Sequence, residues 1–129
     1  VHSYRSRDAF LSDIKNLPRN KKRGPIINIR TVIWTTRARQ DVAEDHAYIA
    51  VENPAAADRL ALEIFDKVES LAALGLSGVS RSSYGAGLRS IACRDRVIFF
   101  RINENELTVL RVLHGHQDIS ADHFKQEEN

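Results

Sequence analysis

The chain has 129 residues, the size of one domain with a single hydrophobic core. The chain has 19 Lys and Arg and 17 Asp and Glu, which are spread unevenly. Residues 1–30 hold eight of the basic residues and only two of the acidic ones. The rest of the chain therefore carries 11 basic and 15 acidic side chains. A mildly acidic body disfavours general nucleic-acid binding, which depends on neutralising phosphates, and no apolar run approaches the roughly 20 residues of a membrane span.

Residues 1–30 are predicted to be a basic, flexible leader. A few apolar side chains allow one or two amphipathic turns that end at Pro18, and Arg19–Gly24 resembles a solvated linker. So little apolar surface does not repay the entropy of ordering the segment. A basic arm that contacts nucleic acid or a partner is the alternative. The start lacks the apolar middle of a secretion signal, so a cytoplasmic location is expected.

An antiparallel pair of helices is predicted after a short β-branched strand, Ile29–Thr35. Thr36 is a credible N-cap, and apolar residues recur at helical spacing through Arg37–Glu52. The Asn53-Pro54 dipeptide stops this helix and suits the start of a second one, Ala55–Ala73, which carries a long apolar face.

Three more strands are predicted after a glycine- and serine-rich connector, Gly75–Gly87. They are Leu88–Cys93, Arg96–Ile102 and Leu107–Leu113. Neither face of the last strand is cleanly polar, which is typical of a central strand. The pattern predicts an α+β domain at residues 31–118, in which a small antiparallel sheet carries an N-terminal helical hairpin on one face. Residues 119–129 are predicted to be a polar tail.

Arginines in these strands are the candidates for a binding site. Arg89, Arg101 and Arg111 could converge if neighbouring strands are in register. Clustered guanidinium groups bind phosphate or a carboxylate-rich partner segment. The alternative for any one arginine is a salt bridge to an acidic residue of the helices, namely Glu44, Asp45, Glu63 or Asp66.

Two histidines, His114 and His116, follow the last strand and titrate near neutral pH. A buried, hydrogen-bonded role at the strand end is the main interpretation of His114. A metal site is not predicted, because only Asp118 adds a suitable ligand to the motif. No catalytic triad, phosphate-binding glycine loop or carboxylate pair is evident, so no cofactor is expected.

Several motifs in a fixed order together resemble toxins of the ParE/RelE superfamily, and more closely the ParE, or plasmid-stabilisation, type. They are Trp34–Ala43 (WTTRARQDVA), Tyr48-Ile49-Ala50, Asn53–Ala57 (NPAAA), Gly87-Leu88-Arg89, Phe99-Phe100-Arg101 and Arg111–Gly115 (RVLHG). The resemblance covers about residues 31–118.

This resemblance implies the toxin of a type II toxin–antitoxin module, which inhibits growth by poisoning DNA gyrase. It also implies a ParD-like antitoxin that wraps the toxin in a hetero-oligomer and alone contacts operator DNA. Under this interpretation the chain has no catalytic residues. Arg89, Arg101, Arg111 and His114 are then the expected contacts with target or antitoxin.

A ribosome-dependent mRNA endonuclease of the RelE type is the alternative, with Arg89, Arg111 and His114 as a reduced catalytic set. The chain has Phe100-Arg101 where ParE sequences usually show Tyr-Arg, and no tyrosine follows Tyr84. The missing C-terminal tyrosine and the mildly acidic body favour protein binding. A relic that binds antitoxin but poisons nothing also fits the sequence.

Overall fold

The structure, a computed structural model, describes residues 3–16 and 30–125. The elements in chain order are α1 (Arg7–Lys15), β1 (Thr31–Trp34), α2 (Thr36–Ala50), α3 (Pro54–Leu74), β2 (Val79–Ser80), β3 (Arg89–Cys93), β4 (Arg96–Ile102), β5 (Glu106–His114) and a 3₁₀ helix (Ala121–Phe124). Within the described residues, no helix combines the length and apolar composition needed to cross a membrane.

Each helix of the hairpin begins at a capping residue. The sequence predicts Thr36 as the first N-cap, but the cap is Thr35, whose side chain accepts a hydrogen bond from the Ala38 amide at 3.1 Å. Asn53 caps α3 as predicted, with Pro54 in the first turn. The antiparallel hairpin is therefore set largely by local signals.

The five strands form one mixed sheet in the order β1-β5-β4-β3-β2. β5 is an interior strand with a neighbour on each side, as its sequence indicates. Its pairing with β1 is parallel, whereas β2, β3, β4 and β5 pair antiparallel along that order. The α+β class and the hairpin on one face are confirmed, with a mixed rather than purely antiparallel sheet. A parallel neighbour needs a long crossover, and the chain between β1 and β5 supplies it.

Two apolar clusters cover the two faces of the sheet. The first, here called the helix-side core, joins sheet residues such as Phe100 and Val109 to helix residues such as Val42 and Ile64. The second cluster, here called the second core, consists of Leu88, Phe99, Leu110, Leu113 and Phe124. The sheet is thus buried on both sides.

A β-bulge in β5 changes which residues face each core. Phe99 pairs with Arg111 and Phe100 pairs with Val109, so Leu110 is an extra residue. Directly opposed residues share a face, so Arg111 lies on the side of Phe99 and Val109 on the side of Phe100. Simple alternation predicts Val109 and Arg111 on one face, and the bulge separates them.

The N-terminal segment contradicts the expectation of a flexible leader, as far as residues 3–16 are described. α1 packs against α2 and α3, and Phe10 is fully buried with its ring centroid 4.6 Å from that of Trp34 and 4.9 Å from that of Phe65. Two aromatic rings, Tyr4 and Phe10, bury more area than the sparse apolar count suggests. The expected linker Arg19–Gly24 lies outside the described residues.

The C-terminal tail also packs on the domain. Phe124 is 5 % exposed, and its ring centroid is 4.9 Å from that of Phe99 in the second core. Ile119 packs against the same cluster. The polar tail predicted at residues 119–129 therefore covers part of the sheet, at least as far as Lys125.

Gly78 allows close contact between the connector and the sheet, so Gly78→Ala should destabilise the protein by about 3 kcal/mol. Its φ is +62°, and an added Cβ would lie 2.5 Å from the Ser90 carbonyl oxygen and 3.0 Å from the Phe100 ring. Gly115→Ala is the matched control, since its added Cβ would lie 3.4 Å from the nearest atom, the Asp95 carbonyl oxygen. Urea unfolding of both variants measures the difference. Equal midpoints would contradict this packing.

Candidate functional site

The four predicted site residues do not form one cluster. Arg89 pairs with Phe100, which belongs to the helix-side core, whereas Arg101 follows Phe100 and therefore projects from the opposite face. The Arg89 Nε donates to the Ser77 carbonyl, and the Arg101 Nε donates to the Ala86 carbonyl at 2.9 Å. Both side chains thus contact the glycine-rich connector, from opposite sides of the sheet.

Arg111 is buried and forms a bidentate ion pair with Asp41 of α2. Its Nε lies 2.8 Å from Asp41 Oδ2, and its Nη2 lies 2.9 Å from Asp41 Oδ1. Arg111 is 8 % exposed and Asp41 is 9 % exposed. Asp41 Oδ2 also accepts the Val112 amide at 2.9 Å. One carboxylate therefore receives three hydrogen bonds from β5.

Asp41 occupies a strand edge that β1 leaves open. β1 ends at Trp34 while β5 continues to His114, so β5 has backbone groups beyond the reach of its parallel neighbour. The Thr35 hydroxyl donates to the Leu110 carbonyl at 3.2 Å, and Asp41 takes the Val112 amide. The N-cap and the second turn of α2 thus satisfy groups that a longer strand would have paired.

Sequence reasoning names other carboxylates as arginine partners and misses Asp41. The missed signal is helical spacing, because Asp41 lies three residues after Ala38 and one before Val42, both on the buried stripe of α2. A carboxylate on that stripe needs a cation, and Arg111 is the buried charged residue of β5. Of the named carboxylates, Asp45 pairs with Arg96 and Glu63 with Arg94.

The C-terminal segment covers the remaining side of the guanidinium. Arg111 Nη1 donates to the carbonyl oxygen of His123 at 3.0 Å. His123 belongs to the 3₁₀ helix, whose Phe124 fills the second core. Arg111 is therefore enclosed by α2 on one side and by the tail on the other.

His114 is hydrogen-bonded as predicted, but it is not buried. Its side chain is 49 % exposed, and its Nε2 lies 3.3 Å from Asp45 Oδ1. Asp45 Oδ2 accepts from Arg96 Nε at 2.9 Å, and the Arg96 side chain is 6 % exposed. Although burial opposes its charge, the pairs with Asp45 and Asp95 raise the pKa of Arg96. His114 thus lies at the edge of a fixed ion-pair network.

An open groove of about 440 Å³ lies between the helical hairpin and the β3–β4 turn. Its lining residues are Tyr48, Ile49, Ala56, Arg59, Leu60, Glu63, Arg94, Asp95, Arg96 and His114. Tyr48 is 83 % exposed at its rim. A hydrogen bond from Arg94 lowers the pKa of Glu63. The mixture of apolar, basic and acidic groups is suited to contact with another protein.

Neither the groove nor the buried pair assembles a nucleophile with a base. Within the part of the chain that is described, no group of three or more His, Cys, Asp or Glu could hold a metal ion. Cys93 is buried at the β3–β4 hairpin, and burial raises the pKa of its thiol. What this geometry offers is charged and apolar surface on a rigid sheet.

Comparisons with known proteins give one family and one fold. Residues 32–119 match the sequence model described as the ParE toxin of type II toxin-antitoxin system, parDE. No curated protein matches. The chain is similar in structure to one described as the chromosomal ParDE TA system from P. aeruginosa, with a TM-score of 0.58 and 22 % identity. That match covers 67 % of this chain and 96 % of the other, and at this identity it shows the fold alone.

The enclosed ion pair should control stability, so Arg111→Ala is expected to destabilise the protein by about 3–5 kcal/mol by leaving Asp41 buried without its cation. Arg111→Lys should lose about 1–2 kcal/mol, because an ammonium keeps the charge but not the bidentate geometry. Arg94→Ala is the control for an exposed ion pair and should shift the urea midpoint least. An Arg111→Ala midpoint equal to that of Arg94→Ala would contradict this assignment.

Proposed function

The chain belongs to the ParE toxin family of type II toxin–antitoxin systems, and we propose that it inhibits growth by binding and poisoning DNA gyrase. A ParD-like antitoxin neutralises it in a hetero-oligomer in the cytoplasm. In this complex only the antitoxin contacts operator DNA. The toxin acts by contact with its protein target and contributes no catalytic group.

The observation that carries this proposal is the enclosure of Arg111. An RNA-cleaving site needs a guanidinium that can reach a phosphate. In this chain Arg111 donates to Asp41 and to the His123 carbonyl and is 8 % exposed. The reduced nuclease set of Arg89, Arg111 and His114 therefore loses a central member. We assign Arg111 to stabilising the fold on which the contact surfaces are built.

The dispersal of the other candidates supports binding in the same way. Arg89 and Arg101 project from opposite faces of the sheet, and His114 contacts Asp45 at the far end of β5. Three separate positions do not surround one scissile phosphate. They can each contact a large partner that wraps the toxin, as a ParD-like antitoxin would.

The open edge of β2 is the proposed place for the antitoxin backbone. Val79 of this strand and Leu74 and Leu76 before it have apolar side chains that are 55 %, 66 % and 50 % exposed. In the described part of the chain no further strand pairs with β2. An added strand would satisfy this edge and cover the apolar side chains. Acidic residues flanking that strand would meet Arg89 from one side.

The deciding experiment induces the full chain in a host and measures both DNA cleavage by gyrase and mRNA cleavage on ribosomes. Gyrase-linked DNA cleavage should rise within minutes, while the mRNA cleavage profile on ribosomes stays unchanged. Co-expression of the neighbouring reading frame's product should remove the DNA cleavage. Ribosome-dependent mRNA cleavage without gyrase-linked breaks would replace this proposal with the RelE-type activity.

A single substitution separates the two activities, since His114→Gln should keep most of the toxicity. An amide can replace one imidazole hydrogen bond to Asp45, whereas it has no acid or base function. Loss of a general acid or base typically costs about 10²-fold or more in rate. His116→Gln is the control, and survival after induction is the measurement. A folded, antitoxin-binding His114→Gln protein that no longer arrests growth would contradict the proposal.

A further inference from the structure

α1 lies in a groove between α2 and α3 and belongs to a part of the chain outside the family match. The match begins at residue 32, whereas α1 spans Arg7–Lys15. The most buried apolar side chains of α1 are those of Phe10 and Ile14, which are 0 % and 2 % exposed. The Phe10 ring lies between Trp34 and Phe65 of the domain. Without α1, this side of the helix pair would expose aromatic surface.

A buried ion pair lies on the floor of this α1 groove. Asp13 Oδ2 accepts from Arg39 Nε of α2 at 3.2 Å and from the Tyr4 hydroxyl. Asp13 is 0 % exposed and Arg39 is 5 % exposed. Burial and the Asp13 carboxylate keep the pKa of Tyr4 well above its usual range, so its hydroxyl stays a donor. A helix that enters this groove must therefore bring a carboxylate at the position of Asp13.

Two ion pairs lie at the rim of the groove, one near each end of α1. Arg7 lies 3.0 Å from Asp66, and Lys15 lies 3.2 Å from Asp58. Both carboxylates belong to α3, at the two ends of the contact. The groove thus has acidic groups along one wall and a basic group on its floor. Its complement is an amphipathic helix with a basic residue near each end and a carboxylate on its buried face.

The same contact also holds buried polar atoms without partners. Ser3 Oγ, Asp13 Oδ1 and Trp34 Nε1 have no hydrogen-bond partner among the described residues. Each such atom costs free energy, and so does the desolvation of Asp13 and Arg39. The contact of α1 therefore retains less stability than its apolar area would provide. Phe10 and Ile14 belong to the helix-side core, but the buried ion pair beside them gives this contact the mixed apolar and charged chemistry of a protein–protein interface.

We propose that the α1 groove is a helix-binding site and that α1 is its exchangeable occupant. α1 leaves the groove while α2, α3 and the sheet stay folded, and the open groove accepts the α1 helix of a second copy of this chain. The helix of a second copy has the same sequence, so it brings the same carboxylate for Arg39 and the same basic residues for the acidic rim. This inference goes beyond the proposed toxin activity and does not rest on it.

The connection between α1 and β1 permits exchange between chains. Residues 17–29 join the two described parts, and a chain of that length can reach about 45 Å when extended. The same connection keeps the helix of its own chain at high effective concentration, so occupation from within the chain prevails at low protein concentration. Exchange between copies rises with protein concentration.

Native-state hydrogen exchange on the full chain tests the release of α1. The amides of α1 should exchange at least about 10-fold faster than those of α3, because they open locally. Asp13→Asn should speed exchange in α1 by about a further 10-fold and leave α3 unchanged, because it removes one partner of the buried ion pair with Arg39. Asp8→Asn is the matched control, since Asp8 is an exposed residue of the same helix. Equal protection of α1 and α3 in the unmodified chain would overturn the proposal.

Occupation by a second helix is tested with a labelled peptide of residues 1–18. A specific protease site placed in Arg19–Gly24 of the full chain allows α1 to be cut free after folding. The labelled peptide should then replace the cut fragment, with Trp34, the only tryptophan, reporting return of the Phe10 contact. An Asp13→Asn peptide should bind at least about 10-fold more weakly than an Asp8→Asn peptide.

The outcomes of the peptide experiment are distinct. Specific replacement, with the circular dichroism of the sheet and hairpin retained, supports a helix-binding site. Loss of that signal when the fragment leaves would show that α1 is integral to the domain and would overturn the proposal. Failure of the peptide to replace the fragment, or equal binding of the two variant peptides, would also overturn it.

Discussion

A carboxylate held against an open strand edge is the constraint on which the arrangement of this domain depends. β1 pairs only with the first part of β5, and beyond its end the carboxylate of Asp41 accepts the Val112 amide of β5. Because Asp41 belongs to α2, the same contact sets the position of the helical hairpin against the sheet. The hairpin in turn forms the wall of the groove near His114 and carries the surface on which α1 lies.

Local sequence signals predict most of the secondary structure correctly. The apolar stripes of α2 and α3, the Asn53-Pro54 break and the hairpin links are short-range features that act wherever the chain folds. The direction of β1 is not a local property, because it depends on how the intervening chain crosses the sheet. β2 has only two residues, Val79 and Ser80, both exposed, so it leaves no periodic pattern to detect.

The candidate site is less predictable because its partners are distant in sequence. The helical spacing of Asp41 indicates that it is buried, but not that Arg111, 70 residues away, would meet it. The terminal segments are misjudged for a related reason. Phe10 and Phe124 each stabilise their segment through contacts with aromatic residues of the domain, and composition averaged over a segment hides a single well-placed ring.

The bulge at Leu110 makes the register of β5 as important as its composition. The residues after it, Arg111 to His114, face their present neighbours only because Leu110 is left out of the pairing with β4. If the strand paired without the bulge, Leu110 would oppose Phe99 and Arg111 would oppose Ile98, which would direct the guanidinium of Arg111 towards the helix-side core. Substitutions in this stretch alter one contact at a time, whereas a shift of register reassigns all of them. Evolution can therefore vary the side chains of this strand more freely than its pairing with β4.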